Sequence, residues 1–137
     1  MIINKNNYKE EILAAGALLL SISKADEKID ENETQLIQDI IIDFFEISIE
    51  DSINIIEISS DMLNESTDIY EFGRTLNNCF SYSDKVDFIC CTFEVAYADK
   101  VLHFREEHFI KKISIILNVE HSDLINAKAE IKQYLKL

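Results

Sequence analysis

The sequence predicts an all-α protein, and three observations support this fold class. The 137 residues contain no proline and only two glycines, Gly16 and Gly73, so few positions would break a helix. Apolar residues recur at intervals of three and four in seven segments, which is the spacing of one face of an α-helix. No segment alternates apolar and polar residues for long enough to favour a strand, although the many isoleucines suit strands as well. We therefore expect one domain over residues 1–137, a bundle of about seven helices.

The seven segments are joined by short polar connections. They cover residues 8–23, 31–46, 49–64, 68–80, 84–98, 104–117 and 121–135. The first contains the longest nearly apolar run, from Ile12 to Ile22. Gly16 falls on its apolar stripe, where it would let a neighbouring helix approach closely. The second segment begins near Glu33 and continues its apolar stripe to Phe44.

The third segment combines a helix-start motif with a broad apolar face. Ser48 followed by Asp51 has the spacing of a capping box, in which each side chain binds the backbone N–H of the other residue. The predicted inner face comprises Ile49, Ile53, Ile56 and Leu63. Further apolar residues widen that face, namely Ile55, Ile58 and Met62. This excess predicts burial on more than one side, or a contact with a second copy.

The last four segments show the same helical spacing. The clearest break in the middle of the chain is Ser81–Ser83, between the fourth and fifth segments. Predicted core positions are Phe72 and Leu76 in the fourth, Ile89 and Phe93 in the fifth, Ile110 and Ile113 in the sixth, and Leu124 and Ile131 in the seventh.

Composition favours a soluble cytoplasmic protein. The longest apolar run has eleven residues, whereas a membrane-spanning helix needs about 20. The first residues lack the sustained apolar core of a signal peptide, so we expect membrane association only through a partner. The three cysteines, Cys79, Cys90 and Cys91, are odd in number and lack metal-ligand spacing. They are predicted to be reduced and mostly packed thiols.

The net charge of −13 lies entirely in the first half of the chain. Residues 1–73 contain 17 acidic and four basic residues, whereas residues 74–137 contain nine of each. This balance argues against nucleic-acid binding. An acidic half favours cations or a basic protein partner. A solvated surface that keeps the protein soluble explains the same charge equally well.

Two stretches 73 residues apart repeat one pattern, Ala25–Glu33 and Ala98–Glu106. In both, an acid follows alanine, an apolar residue comes three positions later and a glutamate comes seven positions later. The apolar positions upstream and downstream keep the same register. The pattern therefore predicts a duplicated helix–loop–helix unit, with repeats over about 8–46 and 84–117.

The repeated acids form candidate sites for a hard divalent cation. Each aspartate follows the first helix of its hairpin and each glutamate lies in the first turn of the second helix, so the two can meet at the bend. Oxygen ligands of this kind suit Ca²⁺, Mg²⁺ or Mn²⁺. The candidate ligands are Asp26, Asp30 and Glu33 in the first loop and Asp99, His103 and Glu106 in the second. An EF-hand is excluded, because the earlier ligand positions and the central glycine are missing in both copies.

Helix capping explains the same residues without a cation. Asp30 and Glu33 have the spacing of a capping box, and Asp26 can bind backbone N–H groups within its own turn. In the second loop His103 stands in place of Asp30, and histidine is a poorer cap. Capping therefore explains Glu106 less well than Glu33. Both interpretations stay open at this point.

Two further hypotheses concern chemistry at the second loop. His103 and His108 flank two glutamates, which suits a transition metal or simply an exposed surface. A hydrolase would need a pocket that unites Asp99, His103 and Glu106. The chain has no glycine-rich phosphate loop, nucleophile elbow or Cys/His pairing. We therefore expect no enzyme and no organic cofactor.

The two loops resemble the tellurite-resistance TerB family. The residues that carry the resemblance are Ala25-Asp26-x-x-Ile29-Asp30-x-x-Glu33, Ala96-Tyr97-Ala98-Asp99-x-x-Leu102-His103-x-x-Glu106, and the closing segment Ile113-x-x-Ile116-Leu117-Asn118-Val119-x-x-x-Asp123-Leu124. The resemblance covers residues 8–135 and implies a seven-helix cytoplasmic bundle with internal two-fold similarity. It also implies divalent-cation binding and protein partners, some of them membrane-associated, in stress or metal resistance.

The resemblance implies cation ligands at four matching positions, Asp26, Glu33, Asp99 and Glu106. The sequence departs from the family at the next residue of each loop, because the family usually has glycine where Glu27 and Lys100 stand here. If that glycine has a positive φ, these loops must absorb strain or change shape. Lys100 can also fill the space of a cation at the second site.

Overall fold

The computed structural model describes residues 7–24, 31–66 and 68–137. Within these ranges the chain forms seven α-helices and no β-strand. The helices are α1 (Glu10–Lys24), α2 (Glu31–Phe45), α3 (Ile49–Glu65), α4 (Tyr70–Cys79), α5 (Tyr82–Ala96), α6 (Phe104–Ile116) and α7 (His121–Tyr134). The predicted all-α fold is confirmed, and each helix boundary lies within two residues of its predicted position.

Helix α1 lies at the centre of the bundle. It packs against α2, α3, α4, α5 and α6, while α7 packs against α5. Every residue from Leu13 to Ser23 is buried, so α1 has no solvent-facing side over most of its length. A helix that is apolar on all sides must be covered on all sides, and this requirement places the other helices around it.

Both glycines lie where two helices approach closely. A Cβ added at Gly16 would lie 2.5 Å from Ser59 Oγ of α3, and one at Gly73 would lie 2.5 Å from Ile116 Cγ2 of α6. The Ser59 hydroxyl donates a hydrogen bond of 2.9 Å to the Leu13 carbonyl, which joins α3 to α1. The predicted role of Gly16 in close helix approach is confirmed.

The predicted inner face of α3 is wrong at two positions. Ile49 is 65% exposed and Ile53 is 53% exposed. The buried residues of α3 are Ser52, Ile55, Ile58 and Ser59. The sequence offers two alternative apolar stripes on this helix, and the close contact of Gly16 with Ser59 selects the one that includes small residues. Helix α3 therefore carries more apolar surface than the core covers.

The starts of α3 and α5 follow the capping rules, except that the Asp51 side chain bonds to Tyr8 instead of to the Ser48 backbone. The Ser48 hydroxyl accepts from the Asp51 N–H at 3.1 Å, but Asp51 Oδ1 accepts from the Tyr8 hydroxyl at 3.2 Å, so the predicted capping box is half formed. A reciprocal box instead joins Ser81 and Asp84 at the start of α5. This box starts α5 at Tyr82, within the stretch that the sequence marks as a break.

The predicted duplication stays a prediction. The pairs α1–α2 and α5–α6 are each successive helices of the bundle. The connection between α1 and α2, residues 25–30, lies outside the described part of the chain. In the described part, no helix combines the length and the hydropathy needed to cross a lipid bilayer.

Candidate functional site

The predicted site residues fall into two groups. Asp26 and Asp30 of the first loop lie outside the described residues. Glu33 lies in the first turn of α2 and is half-buried. Asp99, His103 and Glu106 lie together between the end of α5 and the first turn of α6. We call residues 97–104, which end at the first residue of α6, the second loop.

Asp99 shapes the second loop through both oxygens of its carboxylate. Oδ1 accepts a hydrogen bond of 3.1 Å from the backbone N–H of Val101, which is the pattern of an Asx turn. Oδ2 lies 2.8 Å from Nε2 of His103. The side chains of Asp99 and His103 are 52% and 43% exposed, so this contact lies at the surface. Asp99 thereby ties the beginning of the loop to its end.

Glu106 contacts the same loop from its buried side. Its side chain is buried, with 4% exposure, and Oε1 accepts from the His103 backbone N–H at 3.2 Å. This contact forms part of a capping box at the start of α6. Asp99 thus contacts the ring of His103 while Glu106 contacts its backbone. We call these three residues the brace of the second loop.

Lys100 occupies the position where the TerB resemblance leads us to expect glycine. Its φ is +69°, in the left-handed region that glycine adopts easily. For a residue with a side chain this conformation costs about 1–2 kcal/mol. The Lys100 N–H donates to the Tyr97 carbonyl at 2.8 Å, which closes the turn. The loop therefore keeps the backbone shape of a glycine turn and holds it with the brace.

The pKa of Asp99 lies below the ordinary aspartate value. Partial burial by itself raises this pKa, but the hydrogen bonds from His103 and from the Val101 N–H, together with the charge of His103, outweigh that effect. Both contacts favour the ionised carboxylate. The brace therefore works with a charged Asp99 at neutral pH.

The second loop exposes two large apolar side chains that the sequence reasoning did not single out. Phe104 is 85% exposed and Val101 is 55% exposed. A comparison of the two loop sequences would have found them, because the matching residues of the first loop are Glu31 and Lys28. Phe104 and Val101 are exposed, and the matching residues of the first loop are charged. Core packing therefore does not explain why these two positions are apolar.

The described geometry does not assemble a complete set of metal ligands. Among the described residues, no group of three or more His, Cys, Asp or Glu side chains is placed to hold a metal ion. In the second loop, Asp99 Oδ2 and His103 Nε2 already contact each other. Cation binding at either loop stays a prediction.

The family model described as tellurite resistance protein TerB matches residues 12–129 of the 137-residue chain. The chain belongs to the TerB family. The match runs from α1 into α7 and includes both loops, so this TerB domain is a tellurite-resistance-associated helical domain. No curated protein and no solved structure matches the chain significantly.

The cysteines of the TerB domain are free thiols. Burial, followed by the charge of Glu130, raises the pKa of Cys90 to about 11. Burial, followed by the charge of Glu94, raises the pKa of Cys91 to about 12. Cys79 is exposed, contrary to the expectation of mostly packed thiols, and its pKa is also raised, first by residual burial. These thiols stay protonated at neutral pH and are poor nucleophiles.

A cleft of about 490 Å³ lies among α1, α3, α6 and the connection between α3 and α4 of the TerB domain. Its lining residues are Ser21, Lys24, Leu63, Ser66, Asp68, Ile69, Phe109 and Lys112. The Lys24 ammonium donates to Asn64 Oδ1 at 2.7 Å, and that of Lys112 donates to Asp68 Oδ1 at 3.4 Å. Both cations of the cleft thus have side-chain partners, which does not favour a charged ligand there.

Proposed function

We propose that this TerB domain is a non-enzymatic protein-interaction domain of a tellurite- or stress-resistance system, with the second loop as a contact surface. The observation that carries the proposal is the exposure of Phe104 and Val101 on a loop whose shape is held by the brace. Exposed aromatic side chains are frequent anchors of protein interfaces. A loop that is already ordered loses little conformational entropy when it binds.

The arrangement of the brace supports a structural role for its carboxylates. Asp99 and Glu106 both accept hydrogen bonds from backbone N–H groups of the loop. These contacts account for the aspartate and glutamate of the second copy without a bound ion. They also offset the cost of the left-handed backbone at Lys100.

The same geometry supports a non-enzymatic role. Acid–base catalysis by a pair of titratable groups needs a pocket that drives their pKa values apart. Asp99 and His103 instead lie at the surface, each about half exposed. Oε1 of the buried Glu106 accepts from the backbone N–H of His103. The hydrolase hypothesis therefore has little support in this loop.

Divalent-cation binding is the competing function, and it is supported by the repeated acids and the family resemblance. At the second loop, a Ca²⁺, Mg²⁺ or Mn²⁺ ion would have to displace His103 from Asp99. Titration of the full chain with each chloride salt, followed by the amide NMR signals of residues 97–106, distinguishes the two functions. We expect no saturable shift beyond that of sodium chloride at equal ionic strength. A saturable shift that Asp99→Asn abolishes would show that this loop binds a cation. That result would overturn the interaction role proposed for the loop.

The interaction role itself is tested by removing the exposed apolar side chains. Val101→Ser with Phe104→Ser, expressed in the host lacking the natural gene, should lower survival on tellurite and reduce co-purification of proteins that the unmodified chain retains. Ile115→Ser is the matched control, because Ile115 is 74% exposed on α6 outside the loop. Circular dichroism checks that both variants keep their helices. Unchanged survival and co-purification in the loop variant would overturn the proposal.

A further inference from the structure

We infer that the outward side of α3 is a second docking surface, which binds a basic amphipathic helix of a protein partner. The inference rests on the proposed interaction role but not on the second loop. It requires that α3 presents an exposed apolar pair, that acidic side chains lie beside this pair on the same helix face, and that these carboxylates have no ion-pair partner among the described residues. Each requirement is met by described residues.

The exposed residues of α3 form one continuous stripe. They are Ile49, Glu50, Ile53, Glu57, Asp61, Asn64 and Glu65, with the half-exposed Ser60 among them. At 100° per residue they occupy a sector of about 160° on the helix, and at 1.5 Å per residue they extend over roughly 24 Å. We call this stripe the α3 outer face. Its length matches about four turns of a second helix.

The apolar part of the α3 outer face is not required by the core. Ile49 and Ile53 are one helical turn apart and lie side by side, with more than half of each side chain exposed. The opposite side of α3 is buried by Ile55 and Ile58, and Ser59 bonds to α1 there. The helix cannot turn its exposed isoleucines inward without breaking that contact.

The ionisable side chains of the α3 outer face are all acidic, and the Lys24 ammonium of α1 donates to Asn64 at the C-terminal end of this face. Residues 29–73 contain 13 acidic residues and no lysine, arginine or histidine, so this segment accounts for the net charge of −13. Glu50, Glu57 and Asp61 flank the isoleucines. Within the described ranges these three carboxylates have no ion pair and no side-chain hydrogen bond, whereas all four ion pairs there involve bases from residues 103–128.

Charge complementarity therefore identifies the partner chemistry. Lysine or arginine side chains would gain contacts with Glu50, Glu57 and Asp61, while an acidic protein would be repelled. The isoleucine pair calls for apolar side chains on the same partner at helical spacing. A helix with one apolar stripe flanked by basic residues presents both features over the required length. Burial of both isoleucines supplies the part of the affinity that salt does not screen.

The probe for this surface is a synthetic, fluorescein-labelled helical peptide of about 16 residues, matched to the length of the stripe. It carries leucines on one face and lysines beside them. Anisotropy gives its Kd for the full chain, and amide NMR shifts map its position. Two comparison peptides have glutamate in place of lysine, or the same composition in scrambled order. We expect binding of the first peptide only, with shifts centred on residues 49–64.

Matched variants separate this surface from general attraction to an acidic protein. Ile49→Ser with Ile53→Ser should weaken binding about tenfold or more, whereas Ile115→Ser should not. The double variant Glu57→Gln, Asp61→Asn should weaken peptide binding on α3. The double variant Asp39→Asn, Asp43→Asn also removes two charges but should weaken binding less. Asp39 and Asp43 lie on α2 and line a pocket with Cys91 and Glu94 of α5.

The outcomes also separate this inference from the role of the second loop. Val101→Ser with Phe104→Ser should bind the peptide like the unmodified chain, whatever its effect on tellurite survival. Equal binding of the scrambled peptide, equal losses in the matched variants, or shifts centred outside α3 would each overturn the inference. One combination of results separates the two proposals: the loop variant loses tellurite survival, and the unmodified chain does not bind the peptide on α3. The interaction role of the second loop would then stand, and the second docking surface would be rejected.

Discussion

The second loop and the α3 outer face both expose a pair of large apolar side chains, but their carboxylates differ. In the loop, Asp99 and Glu106 accept hydrogen bonds from backbone N–H groups and fix the backbone around Val101 and Phe104. On the α3 outer face, the carboxylates of Glu50, Glu57 and Asp61 have no hydrogen-bond partner in the described part of the chain. The shape of α3 is fixed instead from its buried side, by contact with α1.

This difference shows that the number of acids in a segment does not define its role. A carboxylate that already binds the backbone stabilises local structure and has less capacity for an external ligand. A carboxylate with no internal partner adds to the local potential and is available to a basic partner. The following experiments test this distinction, beginning with the largest expected effect.

The largest effect is expected from the two faces of α3. Ile55→Ala should lower the free energy of unfolding by about 2–5 kcal/mol, because Ile55 is fully buried. Ile53→Ala removes the same atoms from an exposed position and should change stability by less than about 0.5 kcal/mol. Urea denaturation of both variants provides the comparison. Similar losses would contradict the orientation of α3 and with it the docking surface.

An intermediate effect is expected at Glu106. Glu106→Ala leaves the His103 N–H without its acceptor and should cost about 1–3 kcal/mol. Glu106→Gln keeps an oxygen acceptor and should cost less. Glu57→Ala on the α3 outer face is the matched control, with an expected change near zero. Denaturation measures stability, and amide hydrogen exchange at His103 reports the local bond.

A loss at Glu106 no larger than that at Glu57 would contradict the comparison between the loop and α3. Faster exchange at His103 in Glu106→Ala, without a change elsewhere in α6, would locate the effect in the capping contact. Uniformly faster exchange would indicate general destabilisation instead.

Much of the fold was predictable because helical spacing is a local property. The apolar stripes and the capping residues placed all seven helices to within two residues at each end. The orientation of α3 was not predictable, because its isoleucines offer two stripes. The choice depends on the contact of Gly16 with Ser59, which lies 43 positions away in sequence.

The sequence indicated where Asp99 and Glu106 lie on the fold but not which contacts they make. The repeated spacing correctly placed Asp99 and Glu106 at one hairpin bend. Their common contact with His103 could not be predicted, because it depends on the left-handed backbone at Lys100. A lysine gives no indication of such a conformation, whereas a glycine would. The exposure of Phe104 likewise depends on how α6 starts.

The smallest effect is expected from the titration of Asp99. Its folded pKa lies below the ordinary value, so the ionised carboxylate stabilises the fold above the unfolded pKa of about 4. That contribution is lost as the pH falls through the folded pKa. The stability difference between the unmodified chain and Asp99→Asn should therefore shrink as the solution is acidified below this range, and the protection of the Val101 amide relative to its intrinsic exchange rate should fall.

Asp61→Asn is the control for this titration, because Asp61 lies on the α3 outer face and accepts no hydrogen bond within the described structure. Its stability difference from the unmodified chain should be small and should change little with pH. Urea denaturation at a series of acidic pH values measures both differences. A difference for Asp99→Asn that is constant with pH would show that the ionised carboxylate does not hold the loop. The distinction between carboxylates that hold local structure and carboxylates that are available to a partner would then fail at Asp99, in the more specific copy of the repeated pattern.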